Sequence, residues 1–198
     1  MDATIYIHTY KEGLLSKLAH DLRLTMTRFE ISARGTEVTA TFEPRSLRVD
    51  GAMKDGRLNR EQLSANDREK ILDNVQRDVL RAGEFPSIAF VGRTNSREPP
   101  FAISGELTLL GVTKPFSLIL TQRRERLVGE AELIPSEWGV KPFRALGGTL
   151  RVQDRVLVRI DAGGEWLQHG GELNPAVQLV WQPAPSKPTN VRSREANR

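Results

Sequence analysis

Cysteine is absent from this 198-residue chain, which removes disulfides, thiolate metal ligands and thiol catalysis together. Long apolar runs are missing too, and none approaches the roughly 18 residues that a membrane-spanning helix needs. Met1 to His8 show no basic region followed by an apolar core, so they do not read as an export signal. The expectation is a cytoplasmic protein, periplasmic only if a leader has been trimmed, and not an integral membrane protein. Histidine is scarce: His8, His20 and His169 are the only ones, and no two have a ligand spacing on one face, so no metal site is expected. There is no Gly-x-Ser-x-Gly elbow and no glycine-rich phosphate loop. The chain is therefore read as a non-enzyme without a cofactor.

Positive charge is present but misplaced for a nucleic-acid interface. The net charge is +4. Residues 183–198 hold Lys187, Arg192, Arg194 and Arg198 against Glu195 alone, so nearly all the excess sits in one proline-rich, polar tail. A nucleic-acid face needs that excess on the folded body, beside reading elements. The tail composition instead predicts disorder. No specific nucleic-acid partner is expected, and a homodimer is left open.

What the chain has in quantity is short alternating segments. Residues 3–9 read as a first strand. Residues 20–33 read as a long one, with Leu22, Leu24 and Met26 on one face and Arg23, Thr25 and Thr27 on the other. The apolar parity then slips at Phe29 and Ile31, which predicts a bulge or bend. Val38, Ala40 and Phe42 alternate after the Arg34-Gly35 turn. Phe101, Ile103, Leu107 and Leu109 share one face, with Gly105 between, and Phe116, Leu118 and Leu120 share another. The words Gly105 to Phe116 predict a hairpin that turns at Gly111, where a positive φ is free to form. Gly147 to Ala162 is expected to divide into two strands around Gln153-Asp154. Only residues 57–82 break the strand rhythm. Ser64 and Asp67 are spaced as a capping box, Ile71, Leu72, Val75 and Val79 follow at helical spacing, and Gly83 stands as the stop, so a helix is expected over about 64–82.

About eight strands at regular spacing, with one helix and no βαβ rhythm, predict a mainly β fold, an antiparallel barrel or sandwich; closure as an eight-stranded antiparallel barrel would also remove exposed edges. The expected organisation is a barrel domain over 1–162, a C-terminal extension over 163–182 that packs on or near it, and the disordered basic tail over 183–198.

Three stretches carry a resemblance to the YceI-like family: the hairpin Gly105 to Phe116, the segment Gly83-Glu84-Phe85-Pro86-Ser87-Ile88-Ala89-Phe90 after the helix, and Ile134-Pro135-Ser136-Glu137-Trp138-Gly139-Val140. The N-terminal Thr9 to Ser16 with Ala19-His20-Asp21-Leu22 resembles one branch of it. The resemblance covers roughly residues 3–162. It implies a lipocalin-like barrel that holds a long apolar ligand, such as an isoprenoid chain, a quinone tail or another lipid, for transport, storage or stress response.

The candidate lining residues are Leu22, Leu24, Met26, Phe42, Phe90, Leu107, Leu109, Phe116, Leu118 and Trp138, with Trp138 placed at an entrance. His20 and Arg23 are the candidates for the ligand's polar end. Adjacent strand residues point to opposite faces, so His20 and Asp21 do not share a reacting atom. Each apolar candidate serves equally well as plain packed core. The alternative reading is therefore a barrel with a filled interior that works as a protein-partner-binding or stress-associated module.

Overall fold

A computed structural model describes residues 3–12, 20–145, 150–163 and 178–180. The strands are β1 (Ala3–Glu12), β2 (Asp21–Met26), β3 (Phe29–Arg34), β4 (Glu37–Phe42), β5 (Leu47–Lys54), β6 (Arg57–Asn59), β7 (Ile88–Thr94), β8 (Phe101–Leu109), β9 (Val112–Arg123), β10 (Arg126–Leu133), β11 (Arg144–Ala145), β12 (Leu150–Gly163) and β13 (Gln178–Val180). Every pairing is antiparallel, as short hairpin connections require.

The long arm β2–β3 bends at Thr27-Arg28, and it pairs with a second bent arm, β4–β5. β1 flanks the first arm along β2, and β7 flanks the second along β4. The remaining pairings, β7–β8–β9–β10–β12–β1, complete the circuit. Eight chain paths thus close a barrel. The strand count exceeds the expected eight because two paths are each divided by a bend, and because β6, β11 and β13 add short pairings at the margins. β13 lies in the expected C-terminal extension and pairs with β3. The expected basic tail lies outside the described residues.

The predicted slip of parity is this bend. Met26 and Phe29 are both buried on the inner side, with two residues between them instead of one. Side chains hold the corner. The Arg28 amide donates to Ser46 Oγ at 2.8 Å, Ser46 Oγ donates to the Glu43 carbonyl at 2.7 Å, and Thr27 Oγ1 donates to the Ser46 carbonyl at 2.5 Å.

The hairpin turns where expected. Leu110 (φ 51°) and Gly111 (φ 74°) are both left-handed, the conformation that matches the right-handed twist of the flanking strands.

The other expected hairpin does not form. Residues 150–163 are one continuous strand, and Gln153-Asp154 sits at a bulge within it. Thr9 pairs with Val156 and Lys11 with Val152, so β12 carries extra residues opposite β1. Hydrogen bonding explains why the polar pair does not turn the chain. Gln153 Nε2 donates to the Lys11 carbonyl at 3.2 Å, and Asp154 Oδ1 accepts the Ser136 amide at 2.9 Å. Both side chains are satisfied with the strand extended.

The helix begins at its capping box as read: α1 spans Ala65–Asn74, with Ser64 and Asp67 capping reciprocally. It then widens into a π turn over Val75–Val79, closed by the Leu80 amide on the Val75 carbonyl at 2.8 Å. The helix has a clear place in the wall. The ladder between the second arm and β7 ends at the Phe42–Ile88 pair, and β5 beyond it pairs with β6 instead. Ile71, Leu72, Val75, Val79 and Leu80 pack there against the core.

Two glycines make room for aromatic rings inside. Gly92 and Gly105 are paired across β7 and β8, beside Phe90 and Phe116, whose rings meet edge to face at 6.2 Å. A Cβ on Gly105 would lie 2.2 Å from the Val91 carbonyl oxygen, which is backbone and cannot step aside. Gly105→Ala is expected to destabilise the fold by about 2 kcal/mol, in the range of overpacked cores, lowering the melting temperature by roughly 4–8 °C. A thermal melt of the variant checks this.

His8 lies on the outer face of β1, half-buried. Its own burial, then the Arg23 and Arg159 guanidinium groups, hold its pKa below the usual histidine range, while Glu130 and Asp50 oppose them. The sign follows from proton linkage. A lowered folded-state value means the unfolded chain takes the proton first as pH falls. His8 therefore removes stability as pH drops through the ordinary histidine pKa, and its effect is complete below the folded-state value. His8→Gln should flatten the fall in melting temperature between about pH 7.5 and 5. Melts of both proteins across that range are the measurement, and parallel curves would sink the claim.

Candidate functional site

The barrel encloses a cavity of about 670 Å³, within the range of about 300–1,000 Å³ common for small-ligand sites. Its lining follows from strand parity, because alternate residues face inward. Ile5, Ile7 and Thr9 enter from β1, Leu22, Leu24 and Met26 from β2, Ile31 and Ala33 from β3, and Val38, Ala40 and Phe42 from β4. Phe90 enters from β7, Ile103, Leu107 and Leu109 from β8, Phe116, Leu118 and Leu120 from β9, and Val156, Val158 and Ile160 from β12. The helix supplies Ile71, Val75, Val79 and Leu80.

Nine of the ten expected lining residues face this space: Leu22, Leu24, Met26, Phe42, Phe90, Leu107, Leu109, Phe116 and Leu118. Trp138 does not. It is buried beside the cavity at 3% exposure, and its Nε1 donates to the Leu107 carbonyl at 2.9 Å. It therefore ties the 3₁₀ turn at Pro135–Trp138 to β8. An indole is held by its N–H as firmly as by its ring, and here a backbone acceptor decides its position.

His20 lines the cavity, and Arg23 does not. Arg23 stands one residue out of phase with Leu22 and Leu24, so the strand turns it outward. There it pairs with Asp50 at 2.7 Å and stacks over Tyr6 at 4.5 Å. Asp21 also faces away and accepts the Lys11 amide at 2.9 Å. His20 and Asp21 are thus separated, as alternation requires.

Polar groups are unevenly distributed in the lining. Lys11, His20, Gln62, Asp67, Lys70, Asn74, Lys141, Gln153 and Asp154 belong to the end where β1 finishes, β2 begins and α1 starts. The lining residues that are also exposed to solvent are Gln62, Asp67, Lys70, Lys141 and Pro142. They come from two segments only, so the cavity opens between them. At the opposite end the lining is apolar, and Leu127 there is fully buried. Sequence reasoning missed Ile5 and Ile7, although their alternation was legible, because a lone strand does not say which face turns inward. It also missed Lys11, Lys70 and Lys141, which are ordinary surface lysines until the fold assembles the mouth. Among the described residues no group of three or more His, Asp or Glu is arranged to hold a metal ion.

An antiparallel barrel with an apolar interior and a polar mouth defines the lipocalin-like class of fold. Within that class, the model of the YceI-like domain matches residues 12–163, and the chain belongs to that family. Solved structures agree on the fold. BcnA of Burkholderia cenocepacia superposes with a TM-score of 0.54 at 13% identity, covering 80% of this chain and 94% of its own. A polyisoprenoid-binding domain from Saccharophagus degradans, implicated in plant cell wall breakdown, gives 0.51 at 8% identity, covering 81% and 94%. No curated protein matches the chain.

Trp138 offers a test that separates wall from lining. Trp138→Phe keeps most of the ring but removes the Nε1–H bond to the Leu107 carbonyl, and should cost about 1 kcal/mol, typical of one lost hydrogen bond. Denaturant unfolding measures that loss. Lipid uptake per folded molecule should stay unchanged, because the indole does not border the cavity.

Proposed function

We propose that the protein is a non-catalytic container for a lipid with one long apolar chain, with an isoprenoid chain as the leading candidate. The observation that carries this reading is the cavity itself: about 670 Å³, walled by aliphatic and aromatic side chains and apolar at one end. Several of those side chains, Ile7, Leu22, Phe42, Leu118, Val158 and Ile160, are only half-buried although they point inward. A ligand would complete their burial. The Saccharophagus degradans domain is named for polyisoprenoid binding, which supports the choice of chain, as does family membership.

The driving force is removal of hydrocarbon from water. Each methylene transferred contributes roughly 0.8 kcal/mol before ordering costs, so a chain of many carbons needs few polar contacts to stay bound. The filled-barrel alternative requires inward groups that meet at the axis, and a void of this size speaks against it.

Narrowing the bore tests the reading. Ala40→Phe and Leu118→Trp each place a larger ring in the cavity, and should cut uptake of geranylgeraniol at least about tenfold, equivalent to about 1.4 kcal/mol. Thermal melts without lipid should show that both variants remain folded. Native mass spectrometry of protein, extracted and then reloaded, gives the readout. A wild-type protein that neither carries nor takes up lipid would end the proposal.

A further inference from the structure

The mouth of the cavity is cationic in a way that a neutral lipid does not need. We propose that the ligand's head is anionic, a carboxylate or a phosphate, seated by Lys11, Lys70 and Lys141 with His20 beside them. This rests on the container reading above and specifies which end of the lipid the rim receives.

Three observations support it. The lysines come from three separate places, the end of β1, the middle of α1 and the segment after the 3₁₀ turn, yet all three border one cavity. Convergence of that kind is a product of the fold and not of local sequence. Among the described residues, none of the three forms an ion pair. Lys11 is only half-exposed, and lysines withdrawn from water usually have a partner.

The two carboxylates in the same lining are already committed. Asp67 accepts the Ser64 amide at 3.2 Å and the Ser64 hydroxyl at 2.7 Å as the helix cap. Asp154 accepts the Ser136 amide at 2.9 Å and the Ser136 hydroxyl. Asp67 is fixed at the helix cap, where its charge is also felt by Lys70, and Asp154 is fixed on Ser136, so three lysines against two carboxylates leave the rim with a net positive charge. An amphiphile lying with its tail in the apolar end would place its head where α1 faces Lys141. Charge-assisted hydrogen bonds there would be stronger than those to a neutral hydroxyl.

One chain with three heads provides the experiment: geranylgeraniol, geranylgeranoic acid and geranylgeranyl phosphate, titrated against the full chain at low and high salt. The acid, the phosphate or both should bind about tenfold tighter than the alcohol at low salt, and the gap should narrow as salt screens the rim. A preference for one of the two anions supports the proposal and identifies the head. The combined variant Lys11→Gln, Lys70→Gln, Lys141→Gln should remove the anions' advantage over the alcohol. Equal binding of all three heads, or an anion preference that survives in the variant, overturns the anionic head and leaves the container intact. Failure of every probe to bind removes both. The salt titration on the wild-type protein decides the point even if the variant folds poorly.

Discussion

Closure of the barrel depends on one corner. β1 and β7 flank the same long hairpin, but on opposite arms and at different heights. Only a hairpin that changes direction partway can meet both. The change is made at Thr27-Arg28 and across Glu43–Ser46, and Ser46 joins the two halves: its hydroxyl, buried at 6% exposure, takes the Arg28 amide and gives to the Glu43 carbonyl. A buried backbone amide without a partner is costly, so a small hydroxyl at this place is what lets both arms leave their ladders together. The corner also brings Phe29 to 6.5 Å from Phe42, which starts the inner apolar face of the second half in register with the first.

From that closure the interior follows by parity alone. Inward positions are filled with Ala, Val, Ile and Leu at many levels, and with phenylalanine at few. Where bulk is present it is offset by its absence opposite: Phe90 and Phe116 stand over Gly92 and Gly105. Small residues such as Ala33 and Ala40 also line the bore. A barrel of this path number holds either packed side chains or one slender guest, and this distribution of sizes leaves the bore open. The helix completes the wall where β5 leaves the ladder. Its π turn leaves Val75, Val79 and Leu80 on the cavity side.

Periodicity made much of this readable. Alternation gave the strands, the slip at Phe29 gave the bend, and Ser64 with Asp67 gave the start of the helix, because each is a local signal of two to four residues. The lining candidates from β2, β4, β7, β8 and β9 were legible for the same reason. What failed was long-range. Gln153-Asp154 reads as turn chemistry, but its partners are Lys11 and Ser136, far away in sequence, so a bulge was taken for a hairpin. Trp138 reads as a rim aromatic until the Leu107 carbonyl claims its N–H. Arg23 was read as polar and near His20, while its neighbour Leu22 already fixed it on the other face. The hollow itself had no local signal, since emptiness depends on which side chains stand opposite one another.

Burial and charge divide the labour at this site. A hydrocarbon tail gains free energy in proportion to the apolar area it loses to the wall, with no preferred direction. The wall alone therefore selects a length and a width, not an orientation. Orientation needs an asymmetry, and the cavity has one: an apolar end where Leu127 is fully buried, and a mouth where the polar lining residues gather. Exposed ion pairs contribute little on their own, so the rim adds little to a strong tail interaction. It can nevertheless decide between two lipids with the same tail, because the tail contribution then cancels and only the difference at the head remains.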